Sequence, residues 1–257
     1  MIKTNQFCSD TALANLPKII TIRRFCYYGI HRLKLSKRLK YIAQLVTSDY
    51  DHIWDCCCDH GLLGMALLKV HAAPDIHFVD IVAELMLEVE NKLQHYCHQS
   101  ASKWHVHCMD VAKLPLDQFK GKHLIIIAGV GGDLITQFVE AINQQYSDLD
   151  IDFLLCPVHH QFKLRYALNQ LKFGSKDELL IKENQRFYEI IYTSSHSEKK
   201  EDVVSLVGNK IWQAKTEEQL LVSKEYLQQT LNHYTRIQKG NKKNVQTIID
   251  SYQSIIL

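Results

Sequence analysis

Two hydrophobic rhythms alternate along most of the chain. "LSKRLKYIAQLV" places Leu35, Leu39, Ile42 and Leu45 or Val46 on one helical face. "HIWDCCC" is then a short apolar run, and "GLLGMALLKVHA" has helical spacing. "DIHFVDIV" reads as a strand, "AELMLEVENKLQHYC" as an amphipathic helix and "KWHVHCMD" as a strand. "KHLIIIAGVGG" is a β-branched run ending in glycines, with a helix in "DLITQFVEAINQQ". "DIDFLLCPV" is a further buried strand, with a helix through "FKLRYALNQLKF". "KDELLIKEN" and "RFYEIIYTS" read as a closing hairpin. Strands alternating with helices predict an α/β fold, a parallel sheet covered on both faces. The hairpin gives it an antiparallel finish.

A polar break, "SSHSEKKED", closes this unit near residue 200. Beyond it, Leu220, Leu227, Leu231 and Tyr234 form one stripe, and Val245, Ile248, Ile249 and Tyr252 a second. Facing stripes predict a coiled-coil-like helical hairpin over 208–257, with Lys239, Lys242 and Lys243 at its tip. The expected division is a basic extension at 1–34, an α/β domain at 35–200 and this hairpin.

Composition changes the picture mainly through charge. The net charge is only +2, yet no Asp or Glu occurs from Thr11 to Ser48. That stretch holds Lys18, Arg23, Arg24, Arg32, Lys34, Lys37, Arg38 and Lys40, with Phe25, Tyr27 and Tyr28 among them. Cations interleaved with aromatics suit nucleic acid. A solvated amphipathic helix is the plainer alternative. No apolar run reaches the ~20 residues of a membrane span, and no secretory signal is evident. The expected location is the cytoplasm, where the eight cysteines stay reduced.

"DCCCDHG" at 55–61 suggests a metal site at first sight. Adjacent strand residues point to opposite faces, so Cys56, Cys57 and Cys58 cannot converge on one ion, and no metal is expected. Small apolar packing is the simpler role. The register is more informative. Asp55, Cys57, Asp59 and Gly61 fill the alternate slots of the D-x-G-x-G-x-G loop that follows the first strand in class I methyltransferases. A backbone close to S-adenosylmethionine and the N-terminus of the next helix would hold the cofactor there. Asp80 ends the next strand, 25 residues after Asp55, where an acid binds a ribose diol. Asp110 ends the third strand, a position suited to the adenine amino group. Helix capping is the plainer reading of such aspartates. Gly129, Gly131 and Gly132 imitate a dinucleotide fingerprint, but its third glycine would fall on Leu134 and the next strand ends without an acid. A tight loop beside a methyl-transfer pocket fits better.

"LSKRLKYIAQLV", "DCCCDHGLLG", "LIIIAGVGGDLI" and "RFYEIIY" together resemble the bacterial tRNA adenine-22 N1-methyltransferases, TrmK, over roughly residues 35 to 195. The resemblance implies a Rossmann-like class I methyltransferase sheet, a C-terminal coiled coil, S-adenosyl-L-methionine as cofactor and tRNA as partner. It places the loop Asp59-His60-Gly61 at the reaction site. There Asp59 is the candidate catalytic residue that stabilises developing charge and His60 an orienting donor, with a helix N-terminal hydrogen bond as the plainer role of His60. Asp55, Cys57, Asp59, Gly61, Asp80, Ile81, Met109, Asp110, Ala128, Gly129 and Gly131 would bind the cofactor. Arg38, Gly132 and Pro157 would meet the substrate, and charge clustering, not the resemblance, adds Lys239, Lys242 and Lys243 opposite the basic region Arg23 to Lys40. Cys57 stands where the family has glycine, Cys58 where it has serine and Val130 where it has methionine. Cys156-Pro157-Val158, followed by His159 and His160, replaces the family's Gln-Pro-Asn. A methyltransferase for another RNA or a small molecule, or an inactive RNA-binding protein, are the alternatives.

Overall fold

A computed structural model describes residues 34–196, 203–240 and 244–257. Seven strands form one mixed sheet in the order β3-β2-β1-β4-β5-β7-β6. They are β1 (His52–Cys56), β2 (Asp75–Asp80), β3 (Lys103–Cys108), β4 (His123–Ala128), β5 (Ile151–Cys156), β6 (Gly174–Glu183) and β7 (Arg186–Ser194). The first five run parallel, and β7 pairs antiparallel with both β5 and β6. All five β1 residues are buried, as a parallel strand covered on both faces requires.

Helices α1 (Lys37–Leu45), α2 (Leu62–Lys69) and α3 (Ala83–Tyr96) cover one face with Ile42, Leu67 and Val89. Helices α4 (Gly132–Gln145) and α5 (Gln161–Gln170) cover the other with Ile135, Val139 and Leu164. The predicted hairpin closes at Asn184 and Gln185, with φ of 49° and 62°. Two successive left-handed residues are the signature of a type I′ turn, whose twist matches the strands.

The C-terminal segment forms the expected helical hairpin, with arms of unequal length. Helix α6 (Glu217–Lys239) spans 23 residues and α7 (Gln246–Gln253) only eight. Leu227, Leu231 and Tyr234 do face Ile248 and Tyr252, but within a largely aromatic cluster that includes Phe162, Phe187, Trp212 and Tyr226. The stripes pack α6 against α7, and the same cluster docks the pair onto the sheet domain. Arg165 of α5 locks that docking. It is fully buried and donates to Glu178 (2.6 Å), Glu189 (2.5 Å) and the carbonyl of Ser205 (3.2 Å). Tyr226 of α6 donates to the other oxygen of Glu189 (2.5 Å). The amides of Asn209 and Lys210 donate to Glu178 at 2.8 and 3.0 Å.

A row of histidines crosses the β4–β1–β2–β3 part of the sheet. The register pairs Trp54 with His77, His77 with His105, and His52 with His123. His52 Nε2–H donates to the Lys120 carbonyl (3.1 Å), which makes its Nδ1 the acceptor for His77 Nε2–H (3.2 Å). His77 Nδ1 then accepts from His107 Nε2–H (3.0 Å). Trp54 Nε1–H donates to His123 Nδ1 (3.1 Å), and His123 Nε2–H donates to the Phe119 carbonyl (3.0 Å). The indole N–H of Trp54 needs an unprotonated ring nitrogen, so His123 is neutral. Burial, then the neighbouring imidazoles, push His77 down to about 2; burial and His52 push His123 down to about 4; burial and His105 also lower His107.

These folded values lie below the ordinary histidine value. Below about pH 6.5 the unfolded chain therefore binds more protons, and stability falls as acid is added. Asp55, raised to about 7 by burial, acts in the opposite sense, one group against three. The expected result is a lower urea midpoint at about pH 5.5 than at about pH 7.5. Equal midpoints would show that the row accepts protons without opening.

Candidate active site

The loop after β1 has an unusual backbone. Cys57, Asp59 and Gly61 have φ of 55°, 51° and 69°, so all three alternate slots of the loop are left-handed. Only Gly61 adopts that region without a Cβ penalty. Gly61 is the N-cap of α2, and a Cβ on it would approach the Phe78 ring and Val89 at 3.2 Å. Asp55 lies buried beneath the loop and accepts the Gly64 amide at 2.8 Å, so it holds the loop from below. Asp80 ends β2, and its two oxygens accept from the amides of Asp59 (3.2 Å) and Val82 (3.1 Å). It therefore closes both loops at the sheet's C-terminal edge.

The cysteine triplet divides between the two cores: Cys58 packs on the α1–α3 side, and Cys56 and Cys57 on the α4–α5 side. The side chains do not converge on one point. Burial, then the charges of Asp80, Asp55 and Asp110, push the Cys57 thiol up to about 12. The thiol stays protonated and unreactive.

Several sequence expectations need correction. β3 ends at Cys108, so Asp110 lies two residues beyond the strand and caps a 3-10 turn, accepting the Ala112 amide at 2.9 Å. Gly132 and Pro157 are buried, not open to substrate. The reason is that the loops after β4 and β5 are zipped together. Gly129 donates to Cys156 (3.3 Å), Val158 to Val130 (3.0 Å) and Gly132 to His159 (2.9 Å) through backbone bonds. A Cβ on Gly132 would come within 2.5 Å of the His160 carbonyl, and one on Gly131 would collide with the His159 imidazole.

Other residues remain accessible. Ile81 is 71% exposed beside Asp80, with Met109 half-buried nearby. The Met109 amide donates to the Asp80 carbonyl at 3.0 Å. Ala128 is half-buried, and Gly129 is open with φ of 97°. His60 is half exposed, 3.7 Å from Asp59 Oδ1 and 3.6 Å from Glu88 Oε2. Arg38 reaches over the Tyr188 ring at 5.0 Å and lies beside Gly129. Its Nε is buried without a protein partner. Tyr188, in the "RFYEIIY" motif on β7, carries the ring under Arg38, a contact between distant segments that the motif alone does not reveal. Lys239 is exposed at the end of α6, while Lys242, Lys243 and Arg23 lie outside the described residues.

Residues 35–191, more than half of the chain, match the family described as a methyltransferase domain. The chain belongs to that family. No curated protein sequence matches. Among solved structures, the fold is similar to the Bacillus subtilis tRNA m1A22 methyltransferase TrmK, at 21% identity and a TM-score of 0.65, covering 86% of this chain and 98% of that one. It is also similar to Mycoplasma capricolum TrmK solved with S-adenosyl-homocysteine, at 19% identity, TM-score 0.63 and coverage of 85% and 96%. A Streptococcus pneumoniae protein, provisionally assigned as a tRNA m1A22 methyltransferase and solved with S-adenosyl-L-methionine, shows 21% identity, TM-score 0.62 and the same coverage. In this methyltransferase domain the left-handed loop after β1 lies beside the β1–β4 switch point, where open α/β sheets bind ligands. No helix among the described residues is long and apolar enough to cross a membrane.

Proposed function

We propose that the protein is a cytoplasmic S-adenosylmethionine-dependent methyltransferase that modifies N1 of an adenine in tRNA. The observation that carries this reading is a loop after β1 whose alternate residues are left-handed, tied to Asp80 through the Asp59 amide and underpinned by Asp55 through the Gly64 amide. The names of the structural relatives point the same way. S-adenosylmethionine, when bound, supplies an electrophilic methyl group on a sulfonium. Asp80 offers its carboxylate to a ribose diol, and exposed Ile81 offers an apolar wall to adenine. The amides at the start of α2 suit a carboxylate.

Adenine N1 carries a lone pair and no proton at neutral pH. A strong base is unnecessary, and alignment of the base does most of the work. Asp59 accepts from the exocyclic amine and so favours the charge that develops on the ring. His60, held between Asp59 and Glu88, orients the base as a donor. Arg38, over the Tyr188 ring and beside the open Gly129, offers its guanidinium to the substrate. N1 lies on the pairing edge, so the target base must be unpaired or flipped.

The tRNA grip follows from the sheet edge. Helix α1 and helix α6 both rest on β6: Lys37 Nζ donates to the Lys182 carbonyl (3.3 Å), and the Lys182 side chain pairs with Glu225. The basic segment of α1 and the Lys239 end of α6 are thus carried by one strand. Reversing Lys239, Lys242 and Lys243 to Glu is expected to weaken tRNA binding and flatten its salt dependence, with cofactor affinity intact. Filter binding at two salt concentrations tests this; unchanged affinity and slope would leave the hairpin as structure alone.

A further inference from the structure

The loop that seals the β4–β5 side carries a side-chain cluster that methyl transfer does not use. Asp133 lies in the first turn of α4, His159 in the loop after β5, and His160 just before α5. One ligand atom from each lies within 4.8 Å of the others. We propose that Asp133, His159 and His160 form a binding site for a divalent transition-metal ion of the zinc or cobalt type. The site does not depend on the methyl-transfer reading.

Two imidazoles and a carboxylate are the donor set that such ions select. A tetrahedral ion with bonds of about 2.1 Å holds its ligand atoms about 3.4 Å apart, within reach of small side-chain rotations here. The backbone under the cluster is fixed: the Gly132 amide donates to the His159 carbonyl (2.9 Å), and the Leu164 amide to the His160 carbonyl (3.2 Å). The bareness of Gly131 lets the His159 ring lie against the backbone. Lys163 pairs with Oδ1 of Asp133, while Oδ2 faces Nδ1 of His160. The lysine therefore orients the carboxylate and leaves one oxygen turned toward the imidazoles, as outer partners do at metal centres. Three protein ligands leave a position for water or a substrate oxygen, the pattern of open rather than structural sites. The positive Lys163 and the N-termini of α4 and α5 work against a cation, so the expected affinity is moderate.

Cobalt(II) is the probe. Titrated into the chelator-treated full chain, it should give one equivalent of visible ligand-field absorption, displaced by zinc. His159→Ala, His160→Ala and the isosteric Asp133→Asn should each weaken binding by at least about tenfold. His98→Ala, an exposed histidine elsewhere, should leave it unchanged. All three ligand side chains are at the surface or half-buried, and circular dichroism of each variant checks the fold. Absence of absorption in the wild type, or a one-equivalent band that survives in the His159→Ala/His160→Ala double variant, would overturn the proposal.

Discussion

Asp80→Ala is expected to weaken S-adenosylmethionine binding by about 10- to 100-fold, the loss of charge-assisted hydrogen bonds worth about 1.5–3 kcal/mol. The same carboxylate accepts from the amides of Asp59 and Val82, so its removal also loosens the loop that bears Asp59. Asp80→Asn separates the two effects. It keeps an acceptor for one loop amide but removes the charge from the ribose contact, so it should bind more weakly than wild type and more tightly than Asp80→Ala. Calorimetry reads both. Unchanged affinity in Asp80→Ala would remove this residue from the site.

The second large effect lies away from the cleft. Arg165→Ala leaves Glu178 and Glu189 buried without their cation, an error that costs about 3–5 kcal/mol. For a chain of this size that is a fall in melting temperature of roughly 6–20 °C. Burial works against the guanidinium's charge, and the two carboxylates outweigh it. Arg165 binds groups on β6, β7 and the segment leading to α6, so near-ultraviolet dichroism of Trp212 should change together with stability. A loss below about 1 kcal/mol would show that the carboxylates find protons or other partners.

The parallel sheet was legible because its strands are short apolar runs separated by helical spacing. The D-x-G-x-G-x-G register was legible even with Cys57 and Asp59 in the glycine slots, because the period survives substitution. The left-handed φ at each slot explains why glycine suits them. Other features depend on contacts that no local pattern records. His52, His77, His107 and His123 are scattered in sequence and meet only through strand register. The burial of Gly132 and Pro157 comes from the closure of two distant loops on each other. The two C-terminal stripes meet as their periodicity predicts, but periodicity does not reveal the aromatic residues of the sheet domain, Phe162 and Phe187, that join them. Arg165, a charged residue in an amphipathic helix, gave no sign that it is buried.

The central claim is methyl transfer to tRNA. Its direct measurement is incubation of the wild-type protein with labelled S-adenosylmethionine and bulk unmodified tRNA, followed by nucleoside analysis. The predicted result is label in 1-methyladenosine, abolished by Asp80→Ala at limiting cofactor. Label in a different nucleoside, or cofactor binding with no transfer to any tRNA, would contradict it.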